Sequence, residues 1–100
     1  MQVLATQFTE KGISYYQLAR EGMVALYGQQ GIGWKAPRYE VILIRVAKEH
    51  VWPNGAVSPE QETYPTARVW GQCGWTHHTE ASARAQMVRL VARREGTPHA

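Results

Sequence analysis

Three constellations in this 100-residue chain carry chemistry by residue type and spacing. The first is Cys73 with His77 and His78. Cys-x3-His supplies a soft and a borderline ligand at a spacing that suits half of a zinc site. The other half has no counterpart, because the chain holds one Cys and because His50 and His99 lie far off in sequence. Cys73 and His77 also have the types of a thiol nucleophile and its base. That pairing needs a thiolate-stabilising setting and a third group to orient the base. Gln72 and Glu80 are the neighbours available for it, and nothing compels either into the role. A small core cysteine beside two exposed histidines accounts for the same residues. No catalytic residue, metal ligand or cofactor is therefore assigned.

The second constellation is Glu60 and Glu62, which share one face of a short extended segment. Paired carboxylates can do acid–base work. Beside Pro59 and Gln61 they read more simply as solvating charges that blunt a strand edge. The third combines cations with rings. Arg84, Arg89, Arg93 and Arg94 crowd the C-terminal segment against Glu80 and Glu95, and Lys35 and Arg38 follow Trp34. Four Trp and five Tyr are many for this length. Most belong to core and rim, and Trp34 and Trp52 are the two best placed for exposure. Exposed rings mark protein interfaces. With Lys35, Arg38, Arg84, Arg89 and Arg93 nearby, they would instead stack bases and neutralise phosphates.

Composition sets the frame for these residues. One hundred residues make one domain, with 44% hydrophobic and 19% charged residues, which are globular values. The net charge of +3 tilts mildly toward anionic partners. No apolar run reaches the roughly 18 to 20 residues that span a bilayer. Residues 1–7 lack the basic and apolar regions of a secretory signal, and one Cys builds no disulfide framework. The expected location is the cytoplasm, with no membrane partner.

The elements that position these residues follow from period and punctuation. Residues 1–12 read as a loose lead-in with Phe8 as an anchor. Over residues 13–29 a hairpin competes with a helix. Tyr and Val favour strands, Gly22 costs a helix about 1 kcal/mol, and Glu21-Gly22 would supply the hairpin turn. Tyr16, Leu18, Val24 and Leu26 then share a face. Gln29 to Pro37 is a loop, without the Gly-Lys-Ser/Thr ending of a phosphate loop. Arg38 to Lys48 is the clearest strand, with Ile42, Ile44 and Val46 on one face and Val41, Leu43 and Arg45 on the other. Apolar residues on both faces make it central. Asn54-Gly55 turns a short edge hairpin between Pro53 and Pro59. From Thr76 the chain enters a helix, with Thr79 as N-cap and Glu80 paired to Arg84. Ala83, Met87, Leu90 and Val91 form its apolar stripe. Gly96 stops it, and residues 96–100 fray.

Tyr64 to Thr76 joins sheet and helix and carries two Trp, one Tyr and two Gly. Within it Trp70-Gly71-Gln72-Cys73-Gly74, followed by a Thr-rich link and Glu80-Ala81-Ser82-Ala83-Arg84, resembles the Trp-Gly-Arg domain of some poly(ADP-ribose) polymerases. The likeness covers about a quarter of the chain. It implies a small antiparallel sheet joined to a helix, and binding to nucleic-acid ends. Gln72 stands where that family has Arg, which weakens the second implication. Tyr64-Pro65 and Gly74-Trp75-Thr76 also resemble small uncharacterised proteins of phages and mobile elements.

The expectation is an α+β domain: an antiparallel sheet of three to five strands with the C-terminal helix across one face. Trp70 is expected against Ala83, Met87 and Leu90. The function expected first is non-enzymatic binding of a macromolecular partner, a protein before a nucleic acid. Self-association through an edge strand or the helix would make it a homodimer. Nucleic-acid binding through the five cations is the alternative, and Cys/His catalysis comes last.

Overall fold

The computed structural model describes residues 1–95, and the expected helix stop at Gly96 and frayed tail from Thr97 to Ala100 lie outside them. Strands β1 (Gln7–Glu10), β2 (Ile13–Glu21), β3 (Val24–Gly31), β4 (Arg38–Leu43), β5 (Arg45–Ala47), β6 (His50–Val51), β7 (Val57–Ser58), β8 (Gln61–Thr63) and β9 (Gly74–His77) precede helix α1 (Glu80–Glu95). Five of the strands form an antiparallel sheet in the order β1-β2-β3-β4-β9. Two further pairs, β5 with β8 and β6 with β7, form short ribbons outside it. The molecule is a small α+β fold, as expected.

Residues 13–29 are strands. Glu21 pairs with Val24, so the two-residue turn is Gly22-Met23, one position later than expected. Gly22 has φ 61°, and glycine at the first central position suits a type II′ turn. Residues 1–12 are not a loose lead-in. Gln7–Glu10 pairs along β2 through a two-residue turn whose residues, Lys11 and Gly12, both have positive φ, 53° and 78°. Upstream of β1, the Tyr27 hydroxyl donates to the Ala5 carbonyl at 2.6 Å. Gln2 exchanges backbone hydrogen bonds with Glu60 and Glu62. Lys is not a usual turn residue at positive φ, which is why the sequence hid this hairpin.

The two faces of the sheet differ. Val24, Leu26 and Val41 meet Ala83, Met87 and Leu90 of α1, with Leu18, Tyr39, Trp75 and Val91 around them. Each buried Val, Leu or Met of this cluster stabilises by roughly 1.5 to 3 kcal/mol. On the other face Ala25, Tyr27, Ile42 and Ile44 carry Leu4, Phe8, Tyr15, Tyr64 and Trp70. Trp70 thus belongs to the face away from the helix, not to the α1 stripe. Pairing explains it: Gly74 opposes Ile42 while Trp75 opposes Val41. Gly74 leaves room for the Trp70 ring, since a Cβ there would stand 2.2 Å from it. Trp75 takes the position beside the helix.

The long strand expected over residues 38–48 is broken at Ile44, whose N–H turns to the Met23 carbonyl at 2.7 Å. Beyond that point the chain leaves the sheet as β5, and Val46 is exposed. Thr76 and His77 belong to β9 rather than to the helix start. Thr79 does cap α1, its hydroxyl accepting from the Ser82 N–H at 3.2 Å.

Candidate functional site

Each constellation read from the sequence has a definite place. Cys73 and His77 are engaged separately. Arg45 approaches the Cys73 sulfur at 3.5 Å. The His77 ring lies between Ser82, at 2.7 Å, and Gln86 of α1. Among the described residues, no three His, Cys, Asp or Glu side chains gather as a metal would require. Glu60 is exposed. Glu62 is not the solvating charge expected of it. Both its oxygens accept from Arg20 at 2.7 Å, and one also accepts from the Leu4 N–H at 3.0 Å. Those two donors, Arg20 first, hold its pKa down at about 2. A register shift in β2 between Gln17 and Ala19 makes the pair. Strict alternation would put Arg20 on the helix face with Tyr16 and Leu18. The bulge moves it opposite Ala25, toward β8.

The cations lie on both sides of the sheet. Arg38 opposes Gln29 on the face away from the helix, and its guanidinium stacks 3.9 Å from the Trp34 ring centre. Trp34 covers Gly31, where a Cβ would meet the ring at 2.2 Å. Trp34 is therefore a half-buried cap. Lys35 is exposed in the adjoining loop. Arg84 is on α1 and paired to Glu80 at 2.6 Å. Arg89 lines a groove between α1 and β9 with Trp75 and His77. Arg93 sits in the last turn of the helix. Lys35, Arg38, Arg84, Arg89 and Arg93 thus divide between opposite faces, and Trp34 and Trp52 lie on separate elements.

Trp52 occupies the tip of the β6–β7 hairpin. Its N–H donates to Ala56 and its carbonyl accepts from Gly55, at 2.8 and 2.9 Å. The turn is therefore Trp52 to Gly55, with Pro53 and Asn54 central and Gly55 at φ 88°. Asn54 Oδ1 accepts from Ala56 N–H at 2.9 Å. The Trp52 indole donates to Ser58 at 2.9 Å and meets the His50 ring edge-on at 4.3 Å. The tip is ordered from within, yet it stays uncovered: Val51, Trp52 and Val57 are 61%, 51% and 55% exposed.

The face away from the helix holds a second feature, which sequence reasoning missed. A cleft of about 550 Å³ is lined by Tyr15, Glu40, Tyr64 and Trp70, with Glu10 and Lys11 also in its wall. Glu40 lies on central strand β4 between Tyr27 and Thr76. The Tyr64 hydroxyl donates to its Oε1 at 2.6 Å, and Thr76 approaches its Oε2 at 3.5 Å. Burial raises the pKa of Glu40, against the hydrogen bonds from Tyr64, Gln29 and Thr76. Burial and then the Glu40 charge push the Tyr64 phenol above its ordinary range, so it stays a donor. The available signal was alternation: Glu40 shares the face of Ile42 and Ile44, a carboxylate in an otherwise apolar row.

Comparisons with protein-family models, with curated proteins and with solved structures find no match to the chain. No described helix is long and apolar enough to cross a membrane.

Proposed function

We propose that this chain is a small non-enzymatic interaction protein that binds a protein partner through the tip of the β6–β7 hairpin. One observation carries the reading: Val51, Trp52 and Val57 are more than half exposed together on a projecting hairpin. Trp52 shares one face of the hairpin with His50 and Ser58, and the cross-strand pair Val51 and Val57 takes the other. Scattered single apolar residues are normal on a surface, whereas an exposed Trp with exposed apolar neighbours on one short hairpin marks an interface. Pro53 and the Asn54 and Gly55 turn contacts hold the tip in one shape, so little order is lost on binding. A second copy of the chain is one such partner. The single Cys supports a cytoplasmic setting. Nucleic-acid binding is the weaker reading, because the cations that would serve it divide between opposite faces.

The test is capture by the full chain and by Trp52→Ala, with light scattering on both. The reading predicts a discrete partner or a dimer with the parent and at least about tenfold weaker association with the variant, the loss of one hot-spot ring. Equal association by both would reject it, as would strictly monomeric behaviour with nothing captured.

A further inference from the structure

The cleft over Glu40 has features the hairpin reading does not use. Its floor is a half-buried carboxylate that has no ion-pair partner among the described residues, whose salt bridges are Arg20 with Glu62 and Arg84 with Glu80. The cation that acts on it through space is Arg38, whose guanidinium is stacked on Trp34. A carboxylate offers about four acceptor sites. Among the described residues Tyr64, Gln29 and the long Thr76 contact occupy three, which leaves one for a further donor. The walls are Tyr15, Tyr64 and Trp70, and aromatic faces attract cations. Glu10 adds a second negative charge, partly offset by Lys11. The volume lies within the roughly 300 to 1,000 Å³ of ordinary ligand pockets. A neutral amide would satisfy the vacant acceptor site but gain little from the charge or the rings. An anion would be repelled by both.

We propose that this cleft receives a cationic side-chain end, a guanidinium or ammonium group presented by a protein partner. The protein source rests on the proposed function, and the cation chemistry rests on the cleft alone. Binding places the cation against Glu40 between the three rings, and no bond is made or broken.

The experiment is an NMR titration of the full chain that follows the Trp70 indole N–H. That group donates to Thr76 Oγ1 at 3.1 Å, and Thr76 in turn approaches Glu40. The probes are capped Gly-Arg-Gly, Gly-Lys-Gly and Gly-Gln-Gly peptides and free putrescine, at constant ionic strength. The expected result is a saturable shift with the Arg or Lys peptide and at least about tenfold weaker binding of the Gln peptide. Glu40→Gln should weaken the cationic probe by a similar factor. Equal binding of the Gln peptide, unchanged binding by Glu40→Gln, or no saturation with any probe overturns the proposal. Tighter binding of putrescine than of either peptide overturns its protein source. If Glu40→Gln does not fold, the comparison of peptides on the parent decides alone. Trp52 is not in the cleft wall, so Trp52→Ala should titrate like the parent. Failure here and failure of the hairpin reading are thereby separable.

Discussion

The sheet with its helix and the projecting segment from Arg45 to Thr63 use the same residue types for opposite ends. Val24 and Val41 in the sheet are 1% and 0% exposed, while Val51 and Val57 in the hairpin are 61% and 55% exposed. In the sheet, strands of six to nine residues pair on both sides and bury one face under α1. In the projection, strands of two and three residues form ribbons with a single partner each. Isolated two-stranded ribbons are marginal in water. This one is anchored where Glu62 of β8 meets Arg20 of β2 and where Gln2 bridges β8. The radius of gyration, 15.3 Å, exceeds the ~13 Å expected of a compact chain this long. Stability is thus concentrated in the sheet, and the apolar surface it does not need is carried at the end of the projection.

Three perturbations would break or sharpen that contrast. The largest effect is expected in the core. Leu26→Ala empties a fully buried position against α1 and should cost about 2 to 5 kcal/mol. That takes much of the stability of a small domain, and thermal melts would show it. A melt close to that of the parent would move the core elsewhere.

The second effect is the pH response of the anchor. Glu62 titrates at about 2 in the folded chain against an ordinary 4.5. A depressed carboxylate stabilises above its ordinary pKa, and that contribution is lost as pH falls from about 4.5 toward 2. Glu40 has the opposite sign. Its folded pKa is raised, so its contribution is full below 4.5 and is lost as pH rises through the folded value. Stability should therefore rise on mild acidification and fall on strong acidification. Glu62→Gln should remove the acid-side loss, and Glu40→Gln the neutral-side slope. Protection of the β5–β8 amides, taken relative to their intrinsic exchange rates at each pH, should fall first as pH drops below 4.5. Parallel pH profiles for the parent and Glu62→Gln would show that the pair does not anchor the projection.

The smallest effect is expected at the hairpin tip. Trp52→Ala should change stability by no more than about 0.5 kcal/mol, the range for surface positions, apart from local loss of the Ser58 and His50 contacts. A cost comparable to that of Leu26→Ala would make the tip part of the core.

The sequence revealed the architecture best where alternation runs unbroken. Ile42 and Val41 lie on opposite faces of β4 as expected, and the stripe of Ala83, Met87 and Leu90 faces the sheet. It failed where a single residue shifts the parity. The bulge at Leu18 turned Arg20 to the face of Glu62, a pairing that links residues 42 apart. Gly74 drew Trp70 to the face opposite the helix. Lys11 at positive φ closed a hairpin without the usual Asn-Gly signal. Of the candidate site, Trp52 was legible from its place beside Pro53 and the turn. The Glu40 cleft was not, because it needs Tyr15, Glu40 and the segment carrying Tyr64 and Trp70 from three separate stretches of chain.

Photo-crosslinking in host cells tests the central claim most directly. A photoreactive side chain is placed at Val57 in the hairpin and, in a separate protein, at Val88 on the outer face of α1. Val88 is 67% exposed and apolar, so it controls for exposure alone. The account predicts a discrete protein adduct from position 57, absent from position 88 and abolished by Trp52→Ala. No adduct from position 57, or the same adducts from both positions, would contradict it.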